Sequence, residues 1–166
     1  MTSPSVILAL GANLGDPAAT VRAAFAQLDA LASEPIRRSS LWLSTPVDCP
    51  PGSPLFVNAV ALLVPRDGET PESLLEKLQQ IERDLGRQPK QVLNEARPLD
   101  LDLIAWGSEL RNTPTLILPH PRARLRRFVM EPLAELASDL VLSGQSQPVA
   151  ALLANLPPDP AFRRLA

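Results

Sequence analysis

Aromatic residues, cysteine and histidine are scarce in this 166-residue chain. It has four phenylalanines, two tryptophans, no tyrosine, one cysteine and one histidine. So few aromatics argue against a platform that stacks single-stranded nucleic acid, and a net charge of −2 supplies no general basic excess for a nucleic-acid partner. The lone Cys49 excludes an internal disulfide and a thiolate zinc site, and it fits a reducing compartment.

A long hydrophobic run is also missing. The apolar stretch from Val6 to Leu10 is too short to cross a membrane, and the start of the chain has no basic region of the kind that opens a signal peptide. Hydrophobic residues nevertheless make up 45% of the chain, which is enough for a buried core. Length and composition therefore predict one cytoplasmic domain over residues 1–166, with no membrane partner.

The most informative feature present is a run in which leucine alternates with aspartate, from Arg97 to Leu103 (RPLDLDL). A period of two predicts a β-strand that directs its leucines into a core and presents Asp100 and Asp102 on the opposite face. Their Cα atoms would lie about 6.5 Å apart. Neighbouring carboxylates repel each other unless a cation lies between them, and Mg²⁺ prefers such oxygen ligands. The pattern indicates a magnesium site for phosphoryl chemistry; the alternative is an amphipathic strand whose carboxylates face water.

The remaining segments predict the element order βαββαβ. Strands are expected at 5–10, 36–45, 56–64 and 99–106, and helices begin at Asp16-Pro17 and Thr70-Pro71, where a capping side chain precedes a proline. This is the ferredoxin-like pattern of the α+β class, an antiparallel sheet with two helices packed on one face. Helical segments at 128–137 and 148–156 are expected to extend the domain. Long loops at 46–55 and 87–98 would flank the acidic strand as lids.

Five segments, taken together, resemble the 6-hydroxymethyl-7,8-dihydropterin pyrophosphokinase family of folate biosynthesis. They are LALGANLGD, FVNA, QQIE, RPLDLDLIAWG and the stretch from PHP to RRF, and they follow the family's order and approximate spacing. The resemblance implies transfer of pyrophosphate from ATP to the pterin's hydroxymethyl oxygen, giving AMP, with two Mg²⁺ ions as cofactor and ATP as co-substrate. The implied partners are small molecules, without nucleic acid. A monomer is the expectation, although nothing in the sequence determines the oligomeric state.

The resemblance also implies a role for individual residues. It assigns catalysis to Arg97, Asp100 and Asp102, and the two aspartates would hold the magnesium ions. The implied ATP-binding residues are Gln79, Glu82, Arg87, Arg97, Leu103, His120 and Arg126. The implied pterin-binding residues are Thr45, Pro46, Phe56, Asn58 and Phe128, the two phenylalanine rings enclosing the pterin. Beside a triphosphate, the run Arg122, Arg124, Arg126 and Arg127 would act as an electrostatic clamp; elsewhere such a run is a solvated charged surface.

The chain departs from the family pattern in the loop before the acidic strand. Residues 94–96 are Asn-Glu-Ala where the family commonly has Trp-Gly-Pro, and Pro89, Leu93 and Thr115 occupy usual arginine positions. These differences keep open a second interpretation, a pterin-binding relative with little or no catalytic activity. A third is a ferredoxin-like module that binds RNA or protein through the basic segment, which the acidic pair and the scarcity of aromatics disfavour.

Overall fold

The computed structural model describes residues 5–45, 52, 54–85 and 99–165. The helices and strands of these residues, in chain order, are β1 (Val6–Ala12), α1 (Pro17–Leu31), β2 (Arg37–Arg38), β3 (Trp42–Ser44), β4 (Phe56–Leu63), α2 (Pro71–Asp84), β5 (Asp100–Trp106), β6 (Arg111–Asn112), β7 (Ile117–Leu118), α3 (Arg127–Ala137), α4 (Val149–Ala154) and β8 (Arg163–Arg164). A 3₁₀ turn at Ala123–Leu125 precedes α3. The α+β class is confirmed.

The main sheet is antiparallel, with the strand order β5-β1-β4-β3-β8, and β2 also pairs with β4. The central strand β1 pairs with β4 from Val6↔Leu63 to Ala12↔Val57, and with β5 from Val6↔Trp106 to Gly11↔Asp100. The last strand of the βαββαβ unit thus lies beside the first, and the third lies between the first and the second. This arrangement confirms the ferredoxin-like core and leaves β5 at the edge of the sheet.

Both predicted helix starts are confirmed. The Asp16 carboxylate accepts a hydrogen bond from Ala19 N at 3.2 Å, and Thr70 and Ser73 form a reciprocal capping box at the start of α2. Helices α1 and α2 pack on one face of the sheet around buried residues such as Leu28 and Leu78. The opposite face is covered by α3 and α4, which confirms that the C-terminal helical segments extend the domain.

The second strand is not continuous, so the prediction of one strand over 36–45 is wrong. Ser39 interrupts it, because its hydroxyl accepts the hydrogen bond from Val60 N at 2.8 Å. The next amide, Ser40 N, donates to the Glu135 carboxylate at 3.0 Å instead of to a neighbouring strand. A side chain on α3 therefore divides the strand into β2 and β3, and a carboxylate 95 positions away gives no local signal of this.

The two long loops predicted at 46–55 and 87–98 lie largely outside the described residues. The first strand, predicted over 5–10, continues to Ala12 and so includes Gly11, and the turn into α1 is made by Gly15 with a φ of 63°. None of the helices described here is long and apolar enough to cross a membrane.

Candidate active site

The acidic strand β5 has the two faces that the sequence predicts. Leu101 and Leu103 are 5% and 4% exposed and belong to the core beneath α1 and α2. Asp100 and Asp102 are half-buried on the opposite face. Across the ladder from these aspartates stand Gly11 and Ala9, so the neighbouring strand presents little side-chain bulk beside the carboxylates.

A β-bulge in β5 brings the only histidine to this strand. The pairing with β1 shifts register so that Leu103 and Ala105 face consecutive residues and Ile104 is the extra one. The Ile104 carbonyl accepts a hydrogen bond from His120 N at 2.7 Å. The backbone of the Pro-His-Pro segment is therefore fixed beside the acidic face.

Two adjoining clefts open at the edge of β5. One, of about 410 Å³, is lined by the side chains of Gln79, Glu82, Asp100, Asp102, His120 and Arg126. The other, of about 350 Å³, shares Asp102, His120 and Arg126 and is extended by Leu103, Thr115 and Arg122. Positions up to 47 residues apart along the chain, from Gln79 on α2 to Arg126 before α3, thus meet around the carboxylate pair.

His120 faces this cleft as a neutral imidazole. Its Nδ1 accepts a hydrogen bond from Arg122 N at 3.2 Å, so Nε2 carries the proton and is the ring atom able to donate. Burial and the positive charges of Arg126 and Arg122 lower the pKa of His120 below its ordinary value of 6.5, and the charge of Asp100 opposes them. A neutral donor next to arginines suits an anionic ligand.

We expect His120 to destabilise the fold as the medium becomes acidic. The pKa of His120 in the folded protein lies below its unfolded value. Above pH 6.5 the imidazole is neutral in both states, so it makes no pH-dependent contribution to stability. As the pH drops from 6.5 through the lowered pKa, the unfolded state binds the proton more readily and the free energy of unfolding falls. Urea unfolding of the protein and of His120→Gln between pH 8 and pH 5 measures this. The unfolding free energy of the native protein, relative to that of His120→Gln, should decrease below pH 6.5 and can become the smaller of the two. A difference that does not change with pH would contradict the lowered pKa of His120.

Glu82 has a place in the architecture as well as in the cleft. Its side chain lies on α2, only 5% of the residue is exposed, and its Oε2 accepts a hydrogen bond from Leu101 N at 2.8 Å. Leu101 stands between the two aspartates. The carboxylate therefore ties α2 to the middle of the acidic pair and gives one edge-strand amide an acceptor.

Replacing Glu82 by alanine should lower the free energy of unfolding by about 2 kcal/mol, because a buried amide loses its acceptor. Glu76→Ala supplies the matched control, since Glu76 is exposed on the same helix. Urea denaturation of both variants measures the difference. Equal stability of the two variants would mean that the contact to Leu101 N contributes nothing.

The four arginines predicted as one clamp divide among three environments. Arg122 and Arg126 line the clefts with the aspartates. Arg124 borders a third cavity with Ser143 and Gln145, which shares His120 with the two clefts but is lined by neither aspartate. Arg127 points away, and its guanidinium donates to the carbonyls of Leu156 and Pro157 at 3.2 and 3.5 Å. Only the first two are therefore placed to meet an anion held at β5.

Phe56 and Asn58, two of the residues assigned to the pterin, lie where β1 and β3 end and β4 begins. Phe56 is half-buried and pairs with Ser44 across the sheet, and the buried Asn58 donates from Nδ2 to Ser44 Oγ at 2.7 Å. A Cβ on Gly11 would lie 3.4 Å from Asn58 Oδ1 and 3.7 Å from Phe56 Cδ1. The glycine therefore leaves open the space beside Asn58 Oδ1, the atom of this amide able to accept from a ring N–H.

Phe128, the second phenylalanine assigned to the pterin, contacts the basic segment. Its ring is half-buried at the start of α3, and the guanidinium carbon of Arg126 lies 5.4 Å from the ring centre. That distance is within the range of a cation–π contact, which orients the arginine over the ring. The Arg126 side chain therefore contacts the phenylalanine ring, and the same residue lines the acidic cleft.

Not every residue predicted for the site is among those described. Pro46, Arg87 and Arg97 lie outside the described ranges, so their roles stay predictions. Thr45 is exposed at the end of β3, and Gln79 is exposed on α2. The sequence reasoning did not single out Ser44, whose position as an alternating residue of a short strand gives no indication of its bond to Asn58.

The donor set at β5 fits magnesium. Two carboxylates on one strand supply hard oxygen ligands, and the described residues contain no group of three His, Cys, Asp or Glu side chains that could enclose a metal alone. Magnesium in enzymes characteristically uses one or two carboxylates and completes its coordination with water and substrate phosphate oxygens. An incomplete protein ligand set beside arginines is therefore the arrangement expected of a metal–nucleotide site.

Comparison with known proteins agrees with this geometry. Residues 7–138 match the sequence model of the 7,8-dihydro-6-hydroxymethylpterin-pyrophosphokinase (HPPK) family. A 2-amino-4-hydroxy-6-hydroxymethyldihydropteridine pyrophosphokinase from Pseudomonas aeruginosa is 40% identical over 141 residues, which cover 82% of this chain and 83% of that protein. The folic acid synthesis protein fol1 of Pneumocystis carinii is 35% identical, and the matched region covers 82% of this chain but only 18% of that protein.

Similarity to solved structures concerns the fold. The crystal structure of wild-type Plasmodium falciparum HPPK-DHPS with pteroate superposes with a TM-score of 0.74 and 10% sequence identity, covering 98% of this chain and 48% of that one. At so low an identity the match supports the architecture alone. This chain thus spans about half of that structure and a much smaller part of the fungal protein, whereas it covers most of the bacterial relative.

Proposed function

Because the chain belongs to the 7,8-dihydro-6-hydroxymethylpterin-pyrophosphokinase family, we propose that it transfers a pyrophosphoryl group from ATP to 6-hydroxymethyl-7,8-dihydropterin in folate biosynthesis. The products are AMP and the pterin pyrophosphate. The observation that carries the assignment to this site is the cleft where Asp100, Asp102, His120 and Arg126 meet. A carboxylate pair beside cationic and neutral donors is suited to a metal-bound polyphosphate.

Asp100 and Asp102 would hold magnesium. Bound there, two Mg²⁺ ions would neutralise the triphosphate and make its β-phosphorus open to attack. The protein's part is to place the two carboxylates on a rigid strand, with Leu101 anchored in the core and its amide fixed by Glu82. Ligands carried on strands are held more precisely than ligands carried on loops.

Arg126 and His120 would act on the phosphate oxygens. During the reaction the pterin's hydroxymethyl oxygen bonds to the β-phosphorus as the bond from that phosphorus to the AMP oxygen breaks, and negative charge is spread over the phosphate oxygens. The Arg126 guanidinium offers a planar fork of donors, and His120 offers one N–H from Nε2. The family usually carries an arginine at the position of Thr115. Arg122, which lines the same cleft as Thr115, would supply a second positive charge there.

The pterin would bind between Phe56 and Phe128. Aromatic side chains stack favourably on planar heterocycles, and Asn58 Oδ1 would accept from the edge of the ring. The contact between Arg126 and the Phe128 ring supports this arrangement, because the proposed phosphate donor would then lie next to the proposed ring site. Binding both substrates to connected residues favours the reaction by holding the hydroxymethyl oxygen close to the β-phosphorus.

The broader description follows from the family. The chain is an enzyme of the pyrophosphokinase family. We further propose that residues 1–166 form a single domain that acts in the cytoplasm on small-molecule substrates, with ATP as co-substrate.

Product analysis tests the proposal. Purified protein incubated with Mg·ATP and the pterin should release AMP and pterin pyrophosphate in equal amounts, because the attack falls on the β-phosphorus. Release of ADP would contradict that site of attack. Pterin binding, measured by its fluorescence, without any product would support the second interpretation, a binding protein without turnover.

A further inference from the structure

The C-terminal segment 156–165 forms a strap across the strand that leads into the proposed pterin site. Strand β8 pairs with β3 through Trp42↔Arg164 and Leu43↔Arg163. The Phe162 ring stacks on Trp42, with ring centres 5.2 Å apart and planes inclined by 14°. This segment lies beyond residues 7–138, the part of the chain that the family's sequence model matches.

Asp159 is the residue through which the strap contacts the end of β3. Its Oδ1 accepts hydrogen bonds from the Thr45 hydroxyl and from Ala161 N, both at 2.9 Å, and its Oδ2 accepts from Thr45 N at 3.3 Å. One carboxylate thus fixes both the backbone and the side chain of Thr45. The bond to Ala161 N holds the carboxylate itself in place from within the strap.

Two further contacts keep the strap in position. The Arg127 guanidinium donates to the carbonyls of Leu156 and Pro157, which joins the start of the strap to α3. At the other end, Leu165 N donates to Leu41 O at 2.8 Å. Asp159 therefore lies on a segment that is fixed on both sides, and its carboxylate can act as a fixed point for Thr45.

The position of Thr45 matters because of its neighbour. Ser44, the preceding residue, pairs with Phe56 in the sheet and accepts the Asn58 Nδ2 hydrogen bond at 2.7 Å. A shift of Thr45 would be transmitted along the backbone to Ser44, and from there to the phenylalanine and the amide proposed to contact the pterin. A chain of direct contacts therefore connects Asp159 to that pocket without Asp159 itself contacting the substrate.

We propose that Asp159 is a positioning residue that sets the affinity for the pterin by fixing Thr45 at the end of β3. This inference rests on the proposed function, because it takes the pterin to be the ligand of this pocket. It gives the C-terminal strap a role in binding one substrate, whereas the ATP side of the site, which lies along β5 and the Pro-His-Pro segment, is independent of it.

The test compares Asp159→Ala, Asp159→Asn and the control Asp139→Ala in the full chain, since Asp139 is exposed at the end of α3. Fluorescence titration gives the pterin Kd, and steady-state kinetics give kcat and the KM for ATP. Asp159→Ala should weaken pterin binding about tenfold, because Thr45 loses both of its hydrogen bonds to a charged acceptor. The kcat and the KM for ATP should stay within about twofold of the native values.

The asparagine variant and a double variant separate positioning from a general loss of structure. Asp159→Asn keeps an oxygen acceptor and should recover much of the lost affinity. Thr45→Val combined with Asp159→Ala should bind the pterin no more weakly than the weaker single variant, because both act through one contact. Unchanged pterin affinity in Asp159→Ala, or an equal loss for pterin and ATP, would overturn the proposal. If the native protein itself failed to bind the pterin, the proposed function would fail, and the positioning role with it.

Discussion

Replacing Asp100 or Asp102 by asparagine is expected to reduce pterin-dependent AMP formation about a thousandfold, equivalent to about 4 kcal/mol of transition-state stabilisation. Asparagine keeps the size of the side chain but loses the charge that a divalent cation requires. Both side chains are half-buried on the face of β5 opposite α1 and α2, and the leucines that hold this strand in the core are unaffected. The fold should therefore survive each substitution.

The comparison that tests the proposed metal ligands uses Asp139→Asn as the control, because Asp139 is an exposed carboxylate just after α3. Circular dichroism and urea unfolding check that each variant folds, and AMP release is measured over a range of Mg²⁺ concentrations. The two site variants should lose activity that excess Mg²⁺ does not restore, and the control should behave as the native protein. Near-native activity of both site variants would rule out the assignment of the metal to this strand.

Arg126→Ala is expected to lower kcat/KM about a hundredfold, because the side chain is proposed to contact both substrates. Its guanidinium lines the cleft that contains the aspartates and lies 5.4 Å from the centre of the Phe128 ring. Removing it withdraws a donor from the phosphate oxygens and also frees the aromatic ring. We therefore expect a fall in kcat together with weaker binding of ATP, and a smaller loss of pterin affinity.

Arg124→Ala is the matched control, since Arg124 belongs to the same basic segment but lines a cavity that contains neither aspartate. Its activity should stay within about threefold of the native value, as expected of a surface charge. Arg126→Lys should fall between native protein and Arg126→Ala, because lysine retains the charge and loses the planar fork. Equal losses in the Arg124 and Arg126 variants would indicate a diffuse basic surface in place of a defined phosphate contact.

Local chemistry made much of the fold predictable from sequence. Asp16-Pro17 and Thr70-Pro71 each combine a capping side chain with a proline that suits the first helical position, and both helices begin there. The alternation around Asp100 and Asp102 likewise determines which face of β5 is buried. These signals act over a few residues, so they can be recognised without knowing the rest of the structure.

Features that depend on distant contacts were not predictable in this way. The break between β2 and β3 comes from Glu135, 95 positions beyond Ser40. Strand β8 contains two exposed arginines, and no alternation marks it as a strand; it forms because β3 offers a free edge. Asp159 contacts Thr45 across 114 positions of sequence, and a lone aspartate in a proline-containing tail carries no local indication of such a contact.

The site shows the same division. Its acidic pair and histidine were identifiable from short motifs, whereas the sorting of the four arginines required the structure. A 3₁₀ turn at Ala123–Leu125 leads into α3. Arg126, just after this turn, lines the cleft with the aspartates, whereas Arg127 donates to the C-terminal carbonyls. A run of like charges predicts an electropositive segment but does not predict which of its members face a ligand.

Release of AMP from Mg·ATP, with and without 6-hydroxymethyl-7,8-dihydropterin, is the measurement that tests the central claim most directly. AMP is expected to form only when the pterin is present, in an amount equal to the pterin consumed. Under the same conditions the Asp102→Asn variant is expected to show about a thousandth of this activity. Saturable pterin binding without AMP formation, or AMP release that does not depend on the pterin, would contradict the claim that β5 carries a pyrophosphoryl-transfer site.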